Sequence, residues 1–134
     1  MDLCFHHVGL ACKNIEVEQA AHRLLGYVDE SEVFVDPLQR IRGCFMVQGG
    51  MRVELLEPAG GGSPLESFLT RGVKMYHQAF ETGAIETSID ELRRAGAVLV
   101  VPPTPAVAFA GRPIAFLMLR TAMLVELIQR PGAS

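Results

Sequence analysis

The sequence predicts an α+β fold made of two tandem β-α-β-β-β modules whose inward faces line a shared cleft. Three observations lead there. The run Met51-Arg52-Val53-Glu54-Leu55-Leu56-Glu57-Pro58 returns as Met123-Leu124-Val125-Glu126-Leu127-Ile128-Gln129, with a Glu at the same place 72 residues later. His7 and His77 are 70 residues apart, and the stretches after them stay in step: Ile15-Glu16 matches Ile85-Glu86, and Gly26 matches Gly96. Each copy then alternates one helix-period stretch with several strand-like runs. The chain divides into repeats 3–58 and 73–130 joined by a linker over 59–72, together one domain spanning 1–134.

A length of 134 residues suits one domain with a proper core, and 49% apolar with 20% charged residues is a globular composition. A net charge of -3 without a Lys/Arg cluster excludes an electrostatic footprint for nucleic acid. Cys4, Cys12 and Cys44 are odd in number and lack paired spacing, so they read as reduced, mostly buried thiols of a cytoplasmic protein. No apolar run is long enough to span a membrane, and the N-terminus lacks the pattern of a secretion signal. The expectation is a cytoplasmic protein with a small-molecule substrate and no membrane or nucleic-acid partner.

In the first module, Leu3 to Cys12 is a buried strand by length and flanks. Asn14 caps a helix whose core face is read as Val17, Ala20, Ala21, Leu24 and Leu25, and Gly26 ends it. Tyr27 to Val35 is a strand broken by Asp36-Pro37, and Ile41 to Val47 is another. Gly49-Gly50 turns a hairpin into the strand Met51 to Glu57. The linker holds Ala59-Gly60-Gly61-Gly62 and a short helix, Pro64 to Thr70, capped by Ser63.

The second module opens with the strand Val73 to Glu81, then a helix over Thr82 to Ala95 with Ile85, Ile89 and Leu92 inward. Ala97 to Val101 is a strand, and Pro102-Pro103-Thr104-Pro105 reads as a loop because proline cannot donate to a ladder. Strands Arg112 to Leu119 and Met123 to Gln129 flank the turn Arg120-Thr121, and Pro131 to Ser134 is expected to fray.

A carboxylate inside an apolar strand is costly unless something compensates it. If the first and last strands of each module are neighbours, His7 meets Glu54 and His77 meets Glu126. Together these four would hold one divalent ion (Zn, Ni, Co, Mn or Fe), since imidazole and carboxylate suit that set. An octahedral ion would keep two adjacent positions for a substrate with two neighbouring oxygens. As a Lewis acid it would stabilise the enolate left by proton loss beside a carbonyl. The competing reading is an ancestral repeat whose carboxylates only hydrogen-bond. His22 reads as exposed on its helix, His6 faces away from His7 by strand parity, and Glu16 and Glu57 read as solvated surface.

Phe5-His6-His7-Val8-Gly9-Leu10-Ala11, Val53-Glu54-Leu55-Leu56-Glu57-Pro58 with Ser63-Pro64-Leu65 and Phe68-Leu69, Tyr76-His77-Gln78-Ala79-Phe80-Glu81, and Leu124-Val125-Glu126-Leu127 resemble the vicinal oxygen chelate superfamily. The resemblance covers essentially the whole chain and is nearest the methylmalonyl-CoA epimerase and lactoylglutathione lyase branch, a glyoxalase-like fold. It implies His7, Glu54, His77 and Glu126 as metal ligands, Glu126 and Glu54 as catalytic groups, and a homodimer. It implies a metal-dependent isomerase, epimerase or lyase for a small α-carbonyl or acyl-thioester compound; the alternative is a non-enzymatic binding protein of the bleomycin-resistance kind. Glu at position 54 is the lyase choice where epimerases commonly have Gln. Gly43 falls about where some epimerases carry a base Glu, and the loop before the last strand has shrunk to Leu119-Arg120-Thr121-Ala122. Arg112 is read as a surface cation that could also meet an anionic substrate group. A dioxygenase is disfavoured, since such sites use two His and one carboxylate.

Overall fold

A computed structural model describes residues 1–132. The expected fraying of the tail therefore falls partly on residues 133–134, outside the described part. The chain forms two compact units, one of His7–Tyr76 and one of Met1–His6 with His77 onward.

In the unit His7–Tyr76, β1 (Cys4–Ala11) leads to α1 (Ile15–Leu24), then β2 (Val28–Asp29), β3 (Phe34–Asp36), β4 (Ile41–Gln48), β5 (Met51–Pro58) and α2 (Leu65–Thr70). The sheet order is β2-β4-β5-β1, with β3 also on β4. β1 runs parallel to β5, Gly9 opposite Glu54, and β4 and β5 form a hairpin with Gln48 opposite Met51. Gly49 turns it at a positive φ of 57°. Strand parity separates two faces. Val8, Leu10, Val53 and Leu55 pack with Cys44, Met46 and Ile15 of α1, while Ala11, Ile41 and Leu56 pack on the other face under Leu65 of α2.

The other unit repeats this plan with β6 (Met75–Thr82), α3 (Ile85–Arg94), β7 (Val98–Pro105), a 3-10 turn at Val107–Phe109, β8 (Pro113–Met118) and β9 (Leu124–Gln129). Its order is β6-β9-β8-β7. β6 is parallel to β9, with Ala79 opposite Glu126. Ile85 and Ile89 of α3 pack on Leu117, Val125 and Leu127. The first and last strands of each module are thus parallel neighbours, the condition on which the His–Glu pairing depends.

Four local expectations are corrected. The strand over Tyr27 to Val35 is two short ones, because the segment between them bonds sideways to Phe45. The Phe45 amide donates to Ser31 Oγ at 2.9 Å, and the Phe45 carbonyl accepts from the amides of Glu30 and Ser31. The Pro102–Pro105 stretch is not a loop but the end of β7. That strand lies at the edge of its sheet, and its register slips between Leu99 and Val101 and again between Val101 and Thr104, so the missing N–H groups cost little. Ser63 Oγ still accepts from Leu65 N, although Pro64 is the cap residue of α2.

The fourth correction concerns α1. Its sheet-facing side is Ile15, Glu18, Gln19 and His22, while Val17, Ala20, Ala21, Leu24 and Leu25 face outward. His22, expected at the surface, is buried. Its Nδ1 lies 2.9 Å from Glu18 O, and its ring meets Tyr27 edge-on at 4.9 Å. Asn14 does cap the helix, accepting from Val17 N at 3.0 Å.

Candidate metal-binding pairs

In the unit His7–Tyr76, β1 and β5 set His7 and Glu54 on the sheet face opposite α1. His7 Nε2 lies 3.0 Å from Glu54 Oε1, and the residues are 0% and 4% exposed. The register places Phe45 of β4 opposite Glu54, and its ring meets the His7 imidazole edge-on at 5.2 Å. In the other unit, β6 and β9 set His77 and Glu126 likewise. His77 Nε2 lies 3.3 Å from Glu126 Oε1, and the residues are 3% exposed each. Phe116 of β8 stands opposite Glu126, and its ring meets His77 at 5.4 Å.

The two units therefore carry the same three-part arrangement: an imidazole on the first strand, a carboxylate on the last, and an aromatic wall beside the imidazole. Phe45 and Phe116 do not stand out in the sequence. Their separation of 71 residues, between the His offset and the Glu offset, is the signal that would find them. A second repeated pair includes Glu57, which reads as surface in the sequence and is not. Glu57 Oε1 accepts from Ile15 N at 3.3 Å, and Gln129 Oε1, 72 residues later, accepts from Ile85 N at 2.9 Å. Each last strand thus supplies a side chain to the free amides at the start of its module's helix. Glu57 also pairs with Arg42, whose other arm holds the exposed Glu16.

The donor set suits a divalent metal. Each of the four residues offers one ligand atom, and all four are buried. A carboxylate so enclosed carries a desolvation penalty that an imidazole alone offsets poorly and a cation offsets well. Two imidazoles with two carboxylates fit Zn, Ni, Co, Mn or Fe. Thiolates do not compete for the role: burial raises Cys12 to about 12 and Cys44 to about 11, so both remain thiols at neutral pH.

The other candidates are placed elsewhere. His6 meets Phe109 edge-on at 5.5 Å. Arg112 is not a free surface cation, since it has partners within its own unit. It donates to Gln129 O at 2.8 Å and Phe109 O at 3.2 Å, reaches Glu81 Oε2 at 3.3 Å, and stacks over Phe109. At Gly43 a Cβ would come within 2.7 Å of the Phe34 ring, so that aromatic fills the space a side chain on this strand position would need. A cavity of about 380 Å³ opens between the start of α1 and the end of α2; neither His7 nor Glu54 lines it, and the paired Glu18 and Lys74 do.

Residues 6–116 match the model of the Glyoxalase/Bleomycin resistance protein/Dioxygenase superfamily. The chain belongs to that family, the vicinal oxygen chelate superfamily, as its sequence motifs imply. Among curated proteins it is similar to the ethylmalonyl-CoA/methylmalonyl-CoA epimerase of Cereibacter sphaeroides, 28% identical over 128 residues covering 92% of this chain and 96% of that protein. It is also similar to the mitochondrial methylmalonyl-CoA epimerase of Mus musculus, 27% identical over 92% of this chain and 71% of the relative. Among solved structures, a hypothetical protein of Bacillus halodurans aligns with a TM-score of 0.83 at 24% identity, covering 100% of this chain and 99% of the other. A Glu-to-Gln variant of the Streptomyces coelicolor methylmalonyl-CoA epimerase, in complex with 2-nitronate-propionyl-CoA, aligns with a TM-score of 0.83 at 21% identity over 98% and 100%. These likenesses establish the glyoxalase fold.

Proposed function

We propose that this chain is a divalent-metal-dependent epimerase of a small acyl-CoA thioester bearing an acidic α-hydrogen, with His7, Glu54, His77 and Glu126 as its metal ligands. The single observation that carries the reading is the duplicated, buried His–Glu pair, one in each unit. A pair kept twice at matching places, with its aromatic wall, is more than a buried carboxylate needs for a hydrogen bond. The similar curated proteins, named as epimerases of malonyl-type CoA thioesters, supply the substrate class.

A divalent ion on these ligands would supply Lewis acidity toward the two vicinal oxygens of the substrate. The residues have their own part. Epimerisation breaks the α-carbon–hydrogen bond, moves its electron pair toward the thioester carbonyl, and returns a proton to the opposite face. One of Glu126 and Glu54 would take the proton at a carboxylate oxygen and the other would return one, each alternating between ligand and base. Phe45 and Phe116 would hold the imidazoles in orientation and exclude water.

The test is α-proton exchange. Metal-supplemented protein in deuterium oxide with methylmalonyl-CoA should incorporate deuterium at the α-carbon. Glu126→Gln should lower the rate by about 10²-fold or more with an unchanged circular dichroism spectrum. Normal turnover by the variant would remove Glu126 from the mechanism. A second reading, a cleft that sequesters a ligand without turnover, is favoured by Gly43, where the Phe34 ring leaves no room for a further carboxylate. Metal-loaded protein that binds the thioester and exchanges no deuterium would support that alternative.

A further inference from the structure

The two modules treat one matching place differently. At the start of α3, the chain closes around a carboxylate from the segment ahead of β1. Asp2 accepts from Thr82 Oγ1 at 3.1 Å, from the Gly83 amide at 3.4 Å and from Arg130 at 2.7 Å. The residue 70 positions after Asp2, ahead of β6 as Asp2 is ahead of β1, is Gly72. Gly72 borders the cavity of about 380 Å³ at the start of α1, and so does Lys13, the counterpart of Gly83. A Cβ added to Gly72 would meet nothing within 4 Å. Where one module holds a carboxylate of its own, the other has no side chain and an open cavity. The charges follow the same exchange. Arg130, the cation on Asp2, has the uncharged Pro58 as its counterpart, and Lys13 brings a cation to the place instead. Lys74 is neutralised by Glu18, whereas Lys13 is exposed and has no hydrogen bond or ion pair among the described residues.

We propose that this cavity is a second ligand site, for a small aliphatic carboxylate whose charged end meets Lys13 and whose chain lies along Val17, Leu69 and Val73. The volume is that of a small-molecule site. Its one uncompensated positive charge favours a monoanion over a neutral ligand, and a carboxylate on an ammonium makes a charge-assisted hydrogen bond. The wall beside that charge is aliphatic: Val17, Leu69 and Val73 line it, and Val17 is exposed. An alkyl chain laid there removes apolar surface from water, at about 25 cal/mol for each Å² covered. Lysine and aliphatic wall together select an amphipathic acid, with the lysine setting which end goes where. The site uses neither His7 nor Glu54 and does not depend on the proposed activity.

The experiment titrates hexanoate into the full chain and follows its backbone amide resonances. Saturable shifts should centre on Lys13, Val17, Leu69 and Gly72, while the amides of His7 and His77 stay in place. Hexan-1-ol, with the same alkyl body and no charge, should bind about fivefold more weakly, and Lys13→Gln should weaken hexanoate by a similar factor. Gly72→Asp supplies the carboxylate that the other module has, and should abolish the shifts at Val17 and Leu69. Its φ of 73° is one that aspartate adopts more readily than most residues. Lys13→Gln changes only an exposed, unpartnered side chain, so it keeps the test decisive if Gly72→Asp folds poorly. Every result is read at the cavity's own amides, so it stands or falls apart from α-proton exchange at the His–Glu pairs. No saturable shift, shifts confined to other residues, equal binding of the alcohol, or undiminished hexanoate binding by either folded variant would each overturn the assignment.

Discussion

Gly43 shows what a single residue decides at the candidate site. Its missing Cβ lets the Phe34 ring lie against β4, where an added methyl would stand 2.7 Å from Phe34 Cζ and 3.0 Å from Leu56. Both contacts are with packed side chains, so Gly43→Ala should cost about 1–3 kcal/mol by overpacking. Combining it with Phe34→Ala should cost less than the two single changes added together. Chemical denaturation of the four proteins measures the coupling; strict additivity would mean that Phe34 does not fill the space. The thiols make a second test at this scale. Burial raises Cys12 and Cys44 to about 12 and about 11, and Cys4 is exposed, so a thiol reagent at pH 8 should modify Cys4 rapidly and the other two only on unfolding. Rapid modification of all three would contradict the burial. His7, Glu54, His77 and Glu126 are legible in the sequence because ligand-type residues in apolar strands are conspicuous. Phe45 and Phe116 are not, since an aromatic in a strand raises no question until its register beside a His is known.

Among the elements, most strands, the hairpins and the inward face of α3 (Ile85, Ile89 and Leu92) are legible, and the face of α1 is not. Periodicity places α1 correctly but orients it toward its aliphatic side, and the fold does the reverse. Hydrophobic patterning assumes that the apolar side of a helix turns to the chain's own core, and on α1 it does not. The prolines of β7 mislead for a related reason, because whether a strand lies at an edge is a property of the sheet and not of its residues. The start of α3 differs from that of α1 in a way the repeat makes testable. Asn14 caps α1, but its counterpart is Ala84, which gives no side-chain cap. Both residues share a φ of -144°, so Ala84→Asn should stabilise the protein by about 0.5–1 kcal/mol. Its melting temperature should rise by a few degrees. An unchanged or lowered melting temperature would show that Thr82 and Gln129 already satisfy that helix start.

For the whole molecule, the repeat is the organising fact. Each unit carries the same parallel first-and-last-strand pairing, with a His, a Glu, an aromatic wall and a side chain that accepts from the start of the helix. The carboxylates of the last strands are tolerable in their buried places if His7, Glu54, His77 and Glu126 hold one cation, as proposed. That is the central claim, and it differs in stoichiometry from every rival: one ion per chain needs both pairs, two ions need only one pair each, and none would leave the pairs as hydrogen bonds. The most direct measurement is elemental analysis of the purified chain and of His77→Ala after dialysis against metal-free buffer. The wild-type chain should carry about one equivalent of a transition metal and the variant should lose it, because the proposed site draws on all four ligands. Two equivalents in the wild type, metal retained by His77→Ala, or a wild-type chain that neither carries nor takes up metal at neutral pH would contradict it.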